Sequence, residues 1–166
     1  MRQTLLSVSR SRFVYWLPAI LVAILISIFS THYFSDRQTA KVIIPILRYL
    51  FPFASVRMLH YGHVAIRKLA HITEFGVFSI TVFRGIRAER QGWRWTWALA
   101  TLLIAVTYAG LDEWHQSFVP LRHASARDVA IDALGALLAQ GLVWLFAMWR
   151  SNSLHNTGSS GASAAH

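Results

Sequence analysis

The chain has no cysteine. That excludes a disulfide framework, a thiolate metal site and a cysteine nucleophile, and it leaves any metal to histidine and carboxylate ligands. Charge is also scarce, at 14% of the 166 residues, where a soluble domain carries roughly a quarter. Only 7 residues are acidic, so a carboxylate beside an apolar run is a candidate for a specific task. No internal repeat is present. Neither the H-E-x-x-H zincin pattern nor the P-S-G-H segment of phosphatidic-acid-phosphatase sites occurs.

What the chain has in quantity is hydrocarbon. Apolar residues make up 55% of it, mean hydropathy is +0.42, and the apolar residues are bunched into long runs. This is the pattern of a membrane protein. The expected fold is an all-α membrane protein, a compact bundle of about four transmembrane helices with an interfacial segment between the first two. Net charge is +9, but the arginines flank apolar runs, where they orient helices against anionic lipid. No basic stripe or nucleic-acid motif accompanies them, so no nucleic-acid partner is expected.

Residues 1–12 read as a short cytoplasmic N-terminus. Residues 13–34 follow as an almost uninterrupted apolar run, long enough to cross roughly 30 Å of hydrocarbon. The run exceeds the usual signal-peptide core of about 7–15 residues and no clear A-x-A site follows, which favours an uncleaved anchor. Residues 35–67 mix short apolar patches with Arg37, Lys41, Arg48 and Arg57. Pro45 and Pro52 should break a continuous helix there. Two readings stand, a segment in the membrane interface and an ordered loop packed over the bundle. Further spans are expected at about 64–83, 95–111 and 128–149, closing a bundle over residues 13–150. Residues 151–166, rich in Ser, Gly and Ala, read as a disordered tail.

The second span carries Lys68, His71 and Glu74 inside apolar sequence. At about 100° per residue they cover an arc near 120°, shared with Phe75 and Phe78, so one face is polar and should look into the bundle. Between the third and fourth runs lies DEWHQSFVPLRHASARDVAID, residues 112–132. Its charges would cost roughly 2.5–3.5 kcal/mol each at a helix centre on insertion scales. Alternation of spans puts the start of the second, the end of the third and the start of the fourth at one face. Lys68, His71, Glu74, Asp112, Glu113, His115, Gln116, Arg122, Asp128 and Asp132 should therefore gather there. Arg84, Arg87, Arg90 and Arg94, beside Trp93, Trp95 and Trp97, mark the opposite face as cytoplasmic, with both termini on that side.

The ordered set Lys68-x-x-His71-x-x-Glu74-Phe75, Asp112-Glu113-x-His115-Gln116-x-Phe118-x-Pro120-x-Arg122 and Ser125-x-x-Asp128-x-x-x-Asp132-x-x-Gly135 resembles the VanZ-like family of small multi-pass bacterial membrane proteins. The resemblance covers about residues 67–142. Leu121 stands where that family commonly has glycine. The family's name is associated with glycopeptide antibiotic resistance, which implies a bacterial inner membrane and a role in the cell envelope.

Three readings of the polar site follow. In the first it binds an anionic amphiphile, a membrane lipid or cell-envelope precursor such as a polyprenyl phosphate. Lys68 and Arg122 would hold the anion, while Asp112, Gln116, Asp128 and Asp132 orient the cations or receive donors. In the second the site is catalytic, with His71 and Glu74, or His115 and Asp112 or Glu113, as a general-base pair. No cofactor is evident, though two histidines and carboxylates would suit a divalent metal. In the third, Lys68–Glu74, Arg122–Asp128 and Arg127–Asp132 pairs only clamp the helices. Ser125 is expected as the N-cap of the fourth span, with Asp128 at the capping-box position.

Overall fold

The computed structural model describes residues 2–120 and 124–162, with side chains described over 12–120 and 124–153. The elements in chain order are α1 (Arg2–Phe29), a short 3-10 turn (His32–Phe34), α2 (Asp36–Leu50), α3 (Val56–Arg87), α4 (Trp95–Gln116) and α5 (Ala126–Ala162). No strand occurs among the described residues. Four helices are long and apolar enough to cross a membrane, over Arg12–Phe29, Val56–Arg87, Trp95–Gln116 and Ala126–Ser153. The chain is an all-α, multi-pass membrane protein.

Several boundaries differ from the sequence-based ones. The second long helix starts at Val56 rather than near residue 64, because its start is set by a cap and not by hydropathy. Ser55, in extended conformation, accepts the Met58 N–H on its hydroxyl. Nothing after it breaks a helix, although His60, His63, Arg67 and Lys68 depress the local hydropathy. Of the two prolines expected to interrupt residues 35–67, Pro52 does so, in the turn between α2 and α3, whereas Pro45 lies inside α2. The Lys41 carbonyl that Pro45 leaves without a donor sits at an exposed position, where water can satisfy it. α4 continues past Leu111 to Gln116. Residues 151–162, expected to be disordered, continue α5 as helix. A helix already nucleated by a long span gains one hydrogen bond per added residue, so a Ser/Gly-rich continuation can follow it.

α3 is the hub. It packs against α1, α2, α4 and, most extensively, α5, while α4 also packs against α5. The buried cluster joins Phe75, Phe78 and Val82 of α3 to Ile26 of α1, Ala105 and Ala109 of α4, and Ala136 of α5. Small residues on α4 and α5 let backbones close in without a hydrophobic driving force, as membrane helices require. Gly135 is the tightest point: a Cβ there would lie 2.4 Å from the Ile72 carbonyl oxygen. Polar ties reinforce the same seam, with Gln140 Nε2 donating to Ser79 Oγ at 2.8 Å and Ser79 Oγ to the Ala136 carbonyl at 3.2 Å. Tyr108 of α4 donates to the Ala23 carbonyl of α1 at 2.7 Å.

The helices alternate in direction. At one end Trp16 of α1 lies against Gly85 of α3. At the other, the last turn of α1, the middle of α3, the last turn of α4 and the first turns of α5 come together.

Candidate functional site

His71 projects from α3 toward α5, where its Nδ1 lies 3.1 Å from Asp132 Oδ1. Asp132 is completely buried. Its helix can come this close because Gly135, one turn further along α5, lets the backbone touch Ile72, the residue after His71. Glu74 follows one turn after His71, half-buried, and both line a cavity of about 190 Å³.

The helix phase separates two neighbouring cations. Taking about 100° per residue, Arg67 and Glu74 fall roughly 40–60° to one side of His71, and Lys68 about 60° to the other. Arg67 accordingly lines the cavity with His71 and Glu74. Lys68, the expected anion ligand, is exposed and is not part of the wall.

The end of α4 is built from acids in two different environments. Asp112 is buried, accepts a hydrogen bond from the Ser30 hydroxyl of α1 and takes another from Gln116 Nε2 at 2.7 Å. Glu113 is also buried, and its Oε2 accepts the backbone N–H of Ser125 at 2.7 Å. Ser125 in turn accepts the Arg127 N–H on its hydroxyl at 3.2 Å, so it caps α5 as expected. The carboxylate that completes the cap comes from Glu113 on the neighbouring helix, and not from Asp128 at the usual capping-box position. Asp128 is half-buried at the start of α5. His115 is exposed, away from the buried face that holds Asp112 and Glu113. Arg122 lies outside the described residues.

The pairings assumed from sequence therefore change. The catalytic reading offered His71 with Glu74, or His115 with Asp112 or Glu113; His71 instead bonds Asp132, Asp112 turns to Ser30 and Gln116, and Glu113 to the Ser125 N–H. Arg127, expected to clamp Asp132, is exposed.

The cavity's other walls come from elements that sequence reading left out of the site. Phe29 and Ser30 close it from α1, Phe34 from the 3-10 turn, and Thr39 and Ile43 from α2. α2 is tied down here by a polar clasp. Arg67 Nη1 donates to the Phe34 carbonyl at 3.0 Å and to Thr39 Oγ1 at 3.1 Å, and its Nε lies 3.5 Å from Asp36. The fully buried His63 sets its Nε2 3.1 Å from the same Thr39 hydroxyl. Arg67, His63, Thr39 and Ser30 are the residues that sequence reasoning missed. The only signal for Arg67 was its helical phase with His71 and Glu74.

Among the described residues, no group of three or more histidine and acidic side chains converges as metal ligands would. Two buried carboxylate oxygens, Asp132 Oδ2 and Glu113 Oε1, find no donor among them either. The arrangement is thus an imidazole braced from behind by a carboxylate, and a guanidinium beside it. Both face a cavity that Glu74 also lines, with Ser30 and Thr39 beside the apolar Phe29, Phe34, Ile43 and Ile66 on its other walls. It can hold a head group by charge and hydrogen bonds while its walls hold hydrocarbon.

No curated protein and no solved structure matches the chain significantly. The sequence pattern of the VanZ/LLP1 family matches residues 13–147, which takes in α1 from residue 13 onward, the α2 segment and most of the bundle as well as the polar motifs. The chain belongs to the VanZ/LLP1 family.

Proposed function

We propose that this VanZ-family protein binds an anionic amphiphile of the bacterial cell envelope in the cavity between α1, α2 and α3, at the outer face of the inner membrane. The observation that carries the reading is the lining itself: Arg67 and His71 beside Phe29, Phe34, Ile43 and Ile66. With Nη1 and Nε of Arg67 held in the clasp, its Nη2 donors remain for an oxygen of a phosphate or carboxylate. The apolar walls suit an acyl or prenyl chain entering from the bilayer. Arg67 is available for this role because its partner Asp36 is 61% exposed, and ion pairs reaching solvent are worth about 0–1 kcal/mol. The positive-inside rule supports the orientation, with the arginine-rich α3–α4 loop and both termini cytoplasmic.

The test is binding of a short-chain polyprenyl phosphate and of the matching alcohol to purified protein in detergent. The phosphate should bind preferentially, the preference should vanish in Arg67→Gln, and it should persist in Lys68→Gln. Equal binding of phosphate and alcohol would refute the reading.

One observation favours a catalytic alternative. Asp132 fixes Nδ1 of His71, which leaves Nε2 as the ring nitrogen free to exchange a proton with a substrate or water, the arrangement of a general base. Release of inorganic phosphate from the bound lipid phosphate, abolished in His71→Gln while binding remains, would establish it. Unchanged lipid after prolonged incubation would rule it out.

A further inference from the structure

The opposite end of the bundle carries a cavity of its own. A cavity of about 270 Å³ opens between the end of α3, the α3–α4 loop and the end of α5. Two arginines, Arg87 and Arg150, and Gln91 form its polar side, and Phe83, Val143 and Phe146 its apolar side. The Nε of Arg87 is buried and donates to no described residue. Neither arginine forms an ion pair or hydrogen bond with a described residue. A guanidinium has five N–H donors and no acceptor, and a buried donor left unpaired costs roughly 1–3 kcal/mol, more when charged.

No acid among the described residues answers this charge. Of the 7 acidic residues, Glu89 alone lies at this end, and it lines a different cavity together with Arg12. Among the described residues no counter-charge faces these two arginines, which leaves it to come from outside the bundle. The apolar wall says from where. Phe146 is 61% exposed and Trp149 64% exposed, so the cavity opens sideways onto the lipid-facing surface rather than only toward water. Trp93, Trp95 and Trp149 mark the headgroup level at which tryptophan concentrates. A ligand fitting this frame has a phosphate at the level of Arg87 and Arg150 and a chain running down Phe83, Val143 and Phe146.

We propose that the cavity at Arg87 and Arg150 binds the phosphate headgroup of an anionic phospholipid, with one acyl chain laid along the Phe83–Phe146 wall. Basic pockets between transmembrane helices take anionic head groups in this way, each cation near the membrane surface contributing about 1 kcal/mol, or about fivefold in affinity. Two arginines give about 25-fold.

The experiment is native mass spectrometry of the full chain in detergent, titrated with phosphatidylglycerol and with phosphatidylcholine of the same acyl chains. Phosphatidylglycerol should bind about 25-fold more tightly. The preference should fall to about fivefold in Arg87→Gln and in Arg150→Gln, and to parity in the double variant. Arg84→Gln, exposed and outside the cavity, should keep the full preference. Should Arg87→Gln fail to insert, Arg150→Gln alone decides the point, since its side chain stands at an exposed helix position. Equal binding of the two lipids, or an unchanged preference in Arg150→Gln, overturns the proposal. So does displacement of the lipid by millimolar inorganic phosphate, which would make this a site for the free anion.

Discussion

Gly135 lies against the backbone of Ile72, with room for no heavy atom between them: a Cβ would sit 2.4 Å from the Ile72 carbonyl oxygen and 2.8 Å from its Cα. This approach sets the distance between α3 and α5 beside the His71–Asp132 pair. The obstacle is backbone, which cannot swing aside as a side chain can. Gly135→Ala should therefore force the helices apart and destabilise the protein by about 1–3 kcal/mol. Gly141→Ala, with nothing within 4 Å, should stay within about 0.5 kcal/mol. Thermal unfolding in detergent compares the two, and equal stability would mean that the seam is not tight.

His71 and Asp132 should be energetically coupled. Asp132 is buried and His71 is the described side chain that bonds it. His71→Ala leaves a buried carboxylate without that donor, whereas removing both groups leaves no such mismatch. A double-mutant cycle with Asp132→Ala should give a coupling energy of about 0.5–3 kcal/mol, and additive losses would show that the pair does not brace the bundle.

Glu113 is predicted to act on α5 through the Ser125 N–H. Glu113→Ala removes that acceptor and should cost about 0.5–2 kcal/mol, the range seen for lost helix caps. The loss should appear locally, as faster amide exchange over residues 125–128. Glu113→Gln keeps a carbonyl acceptor at the same place and should recover most of the protection. Faster exchange spread evenly along α5 would contradict a capping role.

The absence of cysteine allows topology to be read directly by single-cysteine labelling. Phe53, fully exposed in the α2–α3 turn, and Gln91, exposed in the α3–α4 loop, lie on either side of one spanning helix. Phe53→Cys and Gln91→Cys should label from opposite sides of the membrane, Phe53→Cys from the outside. Labelling from one side only would remove α3 as a span.

Much of the fold is written one-dimensionally in the chain. Hydrocarbon cannot hydrogen-bond a peptide group, so four long apolar runs commit the chain to helices. Alternation alone then brings the polar stretches of α3, α4 and α5 to one face, the one in α3 lying mid-helix because that helix begins at Val56. The motif order from Lys68 to Gly135 resembles the VanZ-like family, and the family match over residues 13–147 bears the resemblance out. Helix limits were harder to read because caps and nucleated propagation, not hydropathy, set them, as Ser55 and residues 151–162 illustrate.

The site's partners were decided by rotation and proximity. Hydropathy placed Lys68, His71 and Glu74 on a polar face, but the sense of rotation about the helix axis sends Arg67 into the cavity and Lys68 out of it. Adjacent acids diverge for the same reason: Asp112 turns to Ser30 of α1, and Glu113 to the backbone of Ser125. The α2 wall and its Thr39–His63–Arg67 clasp join residues far apart in sequence, so no local pattern announces them. The sequence by itself determined that this is a multi-pass helical membrane protein of the VanZ/LLP1 family with most of its carboxylates toward one face, since burial and alternation follow from composition along a line. Only the tertiary structure decided which carboxylate holds His71, which cation faces the cavity and which acid caps α5. Those choices depend on the phase and spacing of helices, and close contacts such as Gly135 against Ile72 fix them.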